Sequence, residues 1–157
     1  MSNTLEFVTA GDRPALIAFS TPEWLEVARI ALQELGYKVH TAATHGDFQL
    51  RFCQVHYQVV IVEELFAANN LEENLTLKYL QDIPVNQRRH ATILLLGDSF
   101  QTFTPTEAFK HSVHAVISSS EMFLLKQLVE KAVADNTVFL QSFREVQNRV
   151  YNSATRR

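Results

Sequence analysis

Three short runs of this chain are apolar almost from end to end: residues 14–19 (Pro-Ala-Leu-Ile-Ala-Phe), 57–62 (Tyr-Gln-Val-Val-Ile-Val) and 91–96 (Ala-Thr-Ile-Leu-Leu-Leu). A strand with one face in water alternates apolar and polar side chains. A strand in a parallel sheet covered by helices on both faces reads instead as a nearly continuous hydrophobic run. The three runs therefore confine the fold to a layered α/β arrangement. Each must be followed by a crossover, because parallel neighbours cannot be joined by a tight hairpin.

The segments between the runs read as those crossovers. Thr21-Pro22 supplies an N-cap residue and a proline at the first helical position, both start signals. The helix they open carries Trp24, Leu25, Ala28, Ala31, Leu32 and Leu35 on one stripe and ends at Gly36. Residues 37–43 form a second strand. Thr44 caps a helix over residues 46–55, with Phe48, Leu50 and Phe52 as its apolar side. Residues 66–90 hold a loop and a helix around 71–80, stopped by Ile83-Pro84. Gly97-Asp98 closes the fourth strand, 105–110 is a short helix, 113–117 a fifth strand, and a long helix starts near Ser120-Glu121. Five alternations of strand and helix predict a doubly wound, five-stranded parallel sheet. With right-handed crossovers the expected form is flavodoxin-like, order 2-1-3-4-5, with an extended C-terminal helix.

Bulk properties narrow the function classes. The 157 residues suffice for one domain with a tail to spare, and a net charge of −3 gives no electrostatic case for nucleic acid or an anionic membrane. No apolar stretch approaches bilayer length, and the start does not resemble a signal peptide. A single cysteine, Cys53, cannot form an internal disulfide, and a cytoplasmic setting is expected. Cys53 reads as a buried, inert thiol. The six histidines (40, 45, 56, 90, 111 and 114) lack ligand spacing and are expected on the surface, so no metal site and no cofactor are expected. Ser20-Thr21-Pro22-Glu23 offers no glycine loop for phosphates, and Ser118-Ser119-Ser120 reads as a helix cap rather than a nucleophile. No catalytic residue is assigned.

Glu63 ends the third strand, where open α/β sheets place their working groups. This layout, with Pro22 after the first strand, the Gly46-Asp47 helix start and the run ending in Glu63, resembles the receiver domain of bacterial two-component response regulators over roughly residues 14–133. The resemblance implies a phosphoacceptor aspartate, a Mg²⁺ ion held by that aspartate and an acidic pair, a Thr or Ser after the fourth strand, and a lysine after the fifth. Here the acidic pair falls on Phe19 and Ser20, the phosphoacceptor on Glu63 (or, one residue on, Glu64, and neither choice restores the metal site), the hydroxyl on Leu96 with Gly97 next, and the lysine on Ser119; the aromatic switch position is Val116. Mg²⁺ needs hard oxygen ligands, and phosphoryl transfer needs charge compensation. The resemblance thus implies the fold and argues against the activity: a degenerate, or pseudo-, receiver. Glu63 is either a permanent mimic of the phosphorylated state or a strand-end carboxylate solvated or hydrogen-bonded to nearby backbone, and the second is the expectation.

Beyond residue 120 the sequence holds a different signal. Leu125, Val129, Ala132, Asn136, Phe139, Phe143, Val146 and Val150 recur at alternating spacings of four and three, without Gly or Pro from 121 to 151. The expected organisation is an N-terminal extension (1–13), a receiver-like domain (14–133) and a C-terminal helical extension (134–157). The extension either continues as one helix that pairs with a partner or a second copy, with Asn136 fixing register, or breaks near Asp135-Asn136-Thr137 and folds back. The functional expectation is a non-enzymatic interaction and dimerisation module of bacterial signalling, independent of phosphorylation. Its expected contact surface is the short 105–110 helix, the fifth strand and the last helix, as the resemblance implies. The alternative is a small-ligand sensor using the vacated pocket around Phe19, Ser20, Glu63 and Ser119.

Overall fold

The computed structural model describes residues 7–155, so the expected 1–13 and 134–157 extensions fall partly outside the described residues. Strands β1 (Pro14–Ala18), β2 (Lys38–Ala42), β3 (Val59–Glu63), β4 (Thr92–Gly97) and β5 (Ala115–Ser118) form one parallel sheet in the order 2-1-3-4-5. This is the flavodoxin-like order that the alternation predicted. The central strands carry no exposed residue because side chains alternate between two buried layers. Ala15, Ile17, Val59, Ile61, Leu94 and Leu96 face one layer with α1 (Pro22–Glu34) and α6 (Leu125–Thr155). Leu16, Ala18, Val60, Val62, Ile93 and Leu95 face the other, with α2 (His45–Gln54), α3 (Leu75–Asp82) and α5 (Pro105–Lys110). A one-turn helix, α4 (Val85–Arg88), and 3-10 turns at Leu71–Glu73 and Ser119–Leu124 were not anticipated.

Several expectations for single residues are corrected. Phe48 and Phe52 lie one turn apart and stack on each other in the core, which turns Leu50 outward to 59 % exposure. Cys53, next along the helix from Phe52, is exposed rather than buried, with its Sγ 3.3 Å from the Tyr79 hydroxyl. His40 and His111 are buried, not surface residues; His40 sits on an inward β2 position with Nδ1 2.7 Å from the Tyr57 hydroxyl. α3 begins only after Asn74, whose side chain caps it through the Leu77 N–H.

The last helix does not break. α6 runs unbroken for 31 residues, about 46 Å at ~1.5 Å per residue. Each side chain that competes with the helix at the expected breakpoint has another outlet. Asp135 pairs with Lys131, the Thr137 hydroxyl donates to the Val133 carbonyl, and Asn136 Nδ2 donates to Thr92 Oγ1 at 2.9 Å. Thr92 is the first residue of β4, so Asn136 marks the amino edge of the sheet, and residues 137–155 run past it.

At the same edge Phe52, His90 and His56 form a stack, with ring centroids 5.8 Å and 4.1 Å apart. Burial, and then the charge of His56, hold the His90 imidazole below its ordinary value. The folded state therefore prefers neutral His90. This contribution is present above the unfolded histidine value of about 6.5 and is lost as pH falls below it. Urea midpoints are expected to drop between about pH 7 and pH 5.5, and His90→Phe, which keeps the stack, is expected to flatten that drop. Asn136→Ala leaves the buried Thr92 hydroxyl without this partner and is expected to cost about 1–3 kcal/mol in the same assay.

Candidate functional site

Parallel strands direct their chain ends toward one edge, and the loops after β1, β3, β4 and β5 meet there. Glu63, the last residue of β3, is only 5 % exposed. Its carboxylate reaches across to the loop after β1. Oε1 accepts from the Ser20 N–H at 2.7 Å and the Thr21 N–H at 3.0 Å, and Oε2 accepts from the Thr21 hydroxyl at 2.8 Å. Thr21 is the N-cap residue of α1, yet its side chain makes no cap bond within the helix. The neighbouring strand supplies the anion at the positive helix start instead.

The flanking residues complete the frame. The Ser20 hydroxyl accepts from the Ala67 N–H at 2.8 Å, fixing a residue held in left-handed backbone at φ 47°. Asn74, 1 % exposed, donates through Nδ2 to the Glu63 and Glu64 carbonyls, both at 3.0 Å. Ser118 caps the following turn through the Ser120 N–H, and the Ser119 hydroxyl donates to Asp98.

The six positions singled out in the sequence all lie along this edge, but only Ser20 and Glu63 are hydrogen-bonded to each other. Phe19 is buried in the layer beneath α1 and α6, Leu96 pairs alongside Glu63 at full burial, and Ser119 is engaged with Asp98. Gly97 has a specific reason to be glycine, because a Cβ there would lie 2.6 Å from the Glu64 Cβ. The Glu64 side chain occupies that space, and with Trp24, Glu63 and Asp98 it lines an open depression of about 530 Å³. In the sequence Glu64 figures only as the register alternative to Glu63, and Asp98 and Asn74 have no site role. Asn74 carried a usable signal, an asparagine one residue before a helix.

These residues do not fit a magnesium ion. Phe19 has no oxygen, the Ser20 hydroxyl is committed to Ala67, and both Glu63 oxygens are taken by the β1–α1 loop. Among the described residues no group of three or more His, Cys, Asp or Glu side chains is placed to hold a metal.

At the other edge the expected interaction helix divides in two. Leu125, Val129 and Ala132 are core residues of their own domain, and Asn136 is buried on Thr92. Phe139, Val146 and Val150 are 65, 57 and 64 % exposed, and Phe143 is part-covered by the Arg89 guanidinium 5.4 Å from its ring. A groove of about 770 Å³ between α5, β5 and α6 is lined by Phe103, Pro105, Ala108, Phe109 and Phe139. No helix of the described residues is long and apolar enough to cross a membrane.

Glu63→Ala strands two amide donors and a hydroxyl and is expected to lower unfolding free energy by about 1–3 kcal/mol in urea titrations. Glu63→Asp, one methylene shorter, should recover only part of that. Gly97→Ala forces Glu64 aside and should cost about 1–3 kcal/mol as well.

No protein-family model matches the sequence, and no curated protein matches it either. Solved structures do. A CheY-like response regulator receiver domain from Methanospirillum hungatei superposes with a TM-score of 0.62 at 13 % identity, over 81 % of this chain and 98 % of that one. A response regulator from Thermotoga maritima gives 0.59 at 12 % identity, over 78 % and 98 %. The chemotaxis response regulator CheY4 of Vibrio cholerae gives 0.60 at 16 % identity, over 77 % and 98 %. At such identities the likeness concerns the fold, a receiver-like five-stranded parallel sheet.

Proposed function

We propose that the chain is a receiver-like interaction module that works without phosphorylation and self-associates through the projecting part of α6, in a cytoplasmic signalling pathway. The observation that carries this is the continuation of one apolar stripe past the end of the sheet. Leu125, Val129, Ala132 and Asn136 spend the first half of the stripe on the domain's own core. Phe139, Phe143, Val146 and Val150 extend it for roughly 17 Å at ~1.5 Å per residue, beside Val138 and Tyr151, both more than 60 % exposed. A single helix in water gains nothing from presenting this surface, and a second helix buries it.

Phosphorylation independence is supported at the opposite edge. The carboxylate at the phosphoacceptor position is engaged with Ser20 and Thr21, and the lysine position is Ser119. The bonds made by Glu63 are those of a structural carboxylate, which supports the strand-end reading over the mimic. The α5–β5–α6 groove adjoins the base of the helix through Phe139 and extends the contact surface.

Light scattering tests the self-association. The full chain is expected to have twice the monomer mass. Phe139→Glu with Phe143→Glu, both outside the packed core, is expected to give a folded monomer whose melting temperature falls only by what the lost association contributed. A monomeric full chain, or a double variant that remains dimeric, refutes the helix interface.

A further inference from the structure

One face of α6 is used twice. Leu125, Val129 and Ala132 pack into the layer that holds Leu94 and Leu96, and Asn136 donates to Thr92, the first residue of β4. Phe139, Phe143, Val146 and Val150 continue the same four-three spacing, and a straight helix turns that spacing by only ~20° per heptad. The Arg89 guanidinium lies 5.4 Å from the Phe143 ring, so at Phe143 this face still looks toward the domain's own side. A helix laid on the outer half of the stripe therefore lies in line with the sheet that covers the inner half. It can reach toward the domain only as far as Asn136, where β4 begins.

This limit decides how a second copy can bind. In a parallel pair the two helices start side by side, and each domain sits on the inner face of its own helix, level with the other. The two sheets would then claim the same space. In an antiparallel pair each domain faces the far end of the partner's helix, and the apolar part of that helix has to stop short of it. The stripe position after Val150 is Ser153, which is polar and exposed. In the register that sets Asn136 of one copy level with Ser153 of the other, Phe139 meets Val150 and Phe143 meets Val146. Each ring then faces a valine, and large and small side chains alternate along the seam. A parallel register sets phenylalanine on phenylalanine and valine on valine. Reversed, the stripe is complementary to itself in length, in its polar ends and in side-chain size.

We propose that two copies of this chain pair antiparallel through residues 139–150 of α6, with their domains at opposite ends of the shared helix pair. This pairing rests on the self-association proposed above and adds its direction and register. In that register the two domain centres, near residue 130 of each helix, lie about 43 Å apart along the axis at ~1.5 Å per residue. Val150 of the second copy meets Phe139 at the rim of the α5–β5–α6 groove. Because α6 leaves each domain at the amino edge of its sheet, the two Glu63 edges point away from the pair, one at each pole.

Disulfide trapping of the full chain tests the register, in a Cys53→Ser background that removes the native thiol. A disulfide needs Cα atoms within roughly 7 Å of each other. Phe139→Cys and Val150→Cys chains, mixed before oxidation, are expected to cross-link to each other, with peptide mass identifying the 139–150 linkage. Neither chain oxidised alone is expected to cross-link, because each position then lies about 17 Å along the axis from its counterpart. Small-angle X-ray scattering of the unaltered chain gives a measurement that no substitution disturbs, and two lobes about 43 Å apart are expected. A Val150→Cys chain that cross-links to itself, or scattering from two domains packed side by side, overturns the antiparallel pairing and leaves self-association standing. A full chain that stays monomeric overturns both.

Discussion

A carboxylate at the end of a central buried strand has to be met by donors, and the way Glu63 is met organises this edge of the molecule. Its two oxygens take the Ser20 and Thr21 amides and the Thr21 hydroxyl, tying β3 to the start of α1. That one link draws the Thr21 hydroxyl away from capping α1 and places a negative charge near a helix amino end. It also positions Ser20, whose hydroxyl holds the left-handed turn at Ala67, and so the loop that Asn74 secures from the other side. An edge that in an open α/β sheet is available for ligands is here partly closed by the chain's own hydrogen bonds.

The two edges of the sheet are consequently unlike. One is polar, acidic and internally bonded around Glu63. The other ends in a helix that leaves the domain at Asn136 and carries Phe139, Phe143, Val146 and Val150 outward. The helix is rigid at its base because Asn136 is hydrogen-bonded to β4 and Arg89 lies over Phe143. An apolar stripe presented on such a base has a fixed direction, which lowers the entropy lost when a partner docks. Association through that stripe, as we propose, would need no signal from the Glu63 edge.

Much of this was legible in the sequence. Apolar runs without alternation gave the parallel sheet, Thr21-Pro22 and Thr44 gave helix starts, and the four-three spacing gave the long helix. What was not legible depends on side chains meeting across the fold. Nothing local told that Asn136 would find Thr92, 44 residues away, and so serve its own domain's edge. The inward turn of His40 toward Tyr57 and the outward turn of Leu50 and Cys53 were set by helix and strand phase, which short segments leave ambiguous. The lining of the depression beside Glu63 was misread for the same reason: Glu64 and Asp98 are 34 positions apart and come together only because β3 and β4 are neighbours in register.

The central claim is that association belongs to the helix and is independent of phosphoryl chemistry at Glu63. It is tested most directly by the mass of the full chain in solution, measured by sedimentation equilibrium with and without acetyl phosphate and Mg²⁺. A dimer whose mass and dissociation constant are the same under both conditions is expected. A monomer that dimerises only with the phosphoryl donor, or a dimer that the donor dissociates, would contradict the claim.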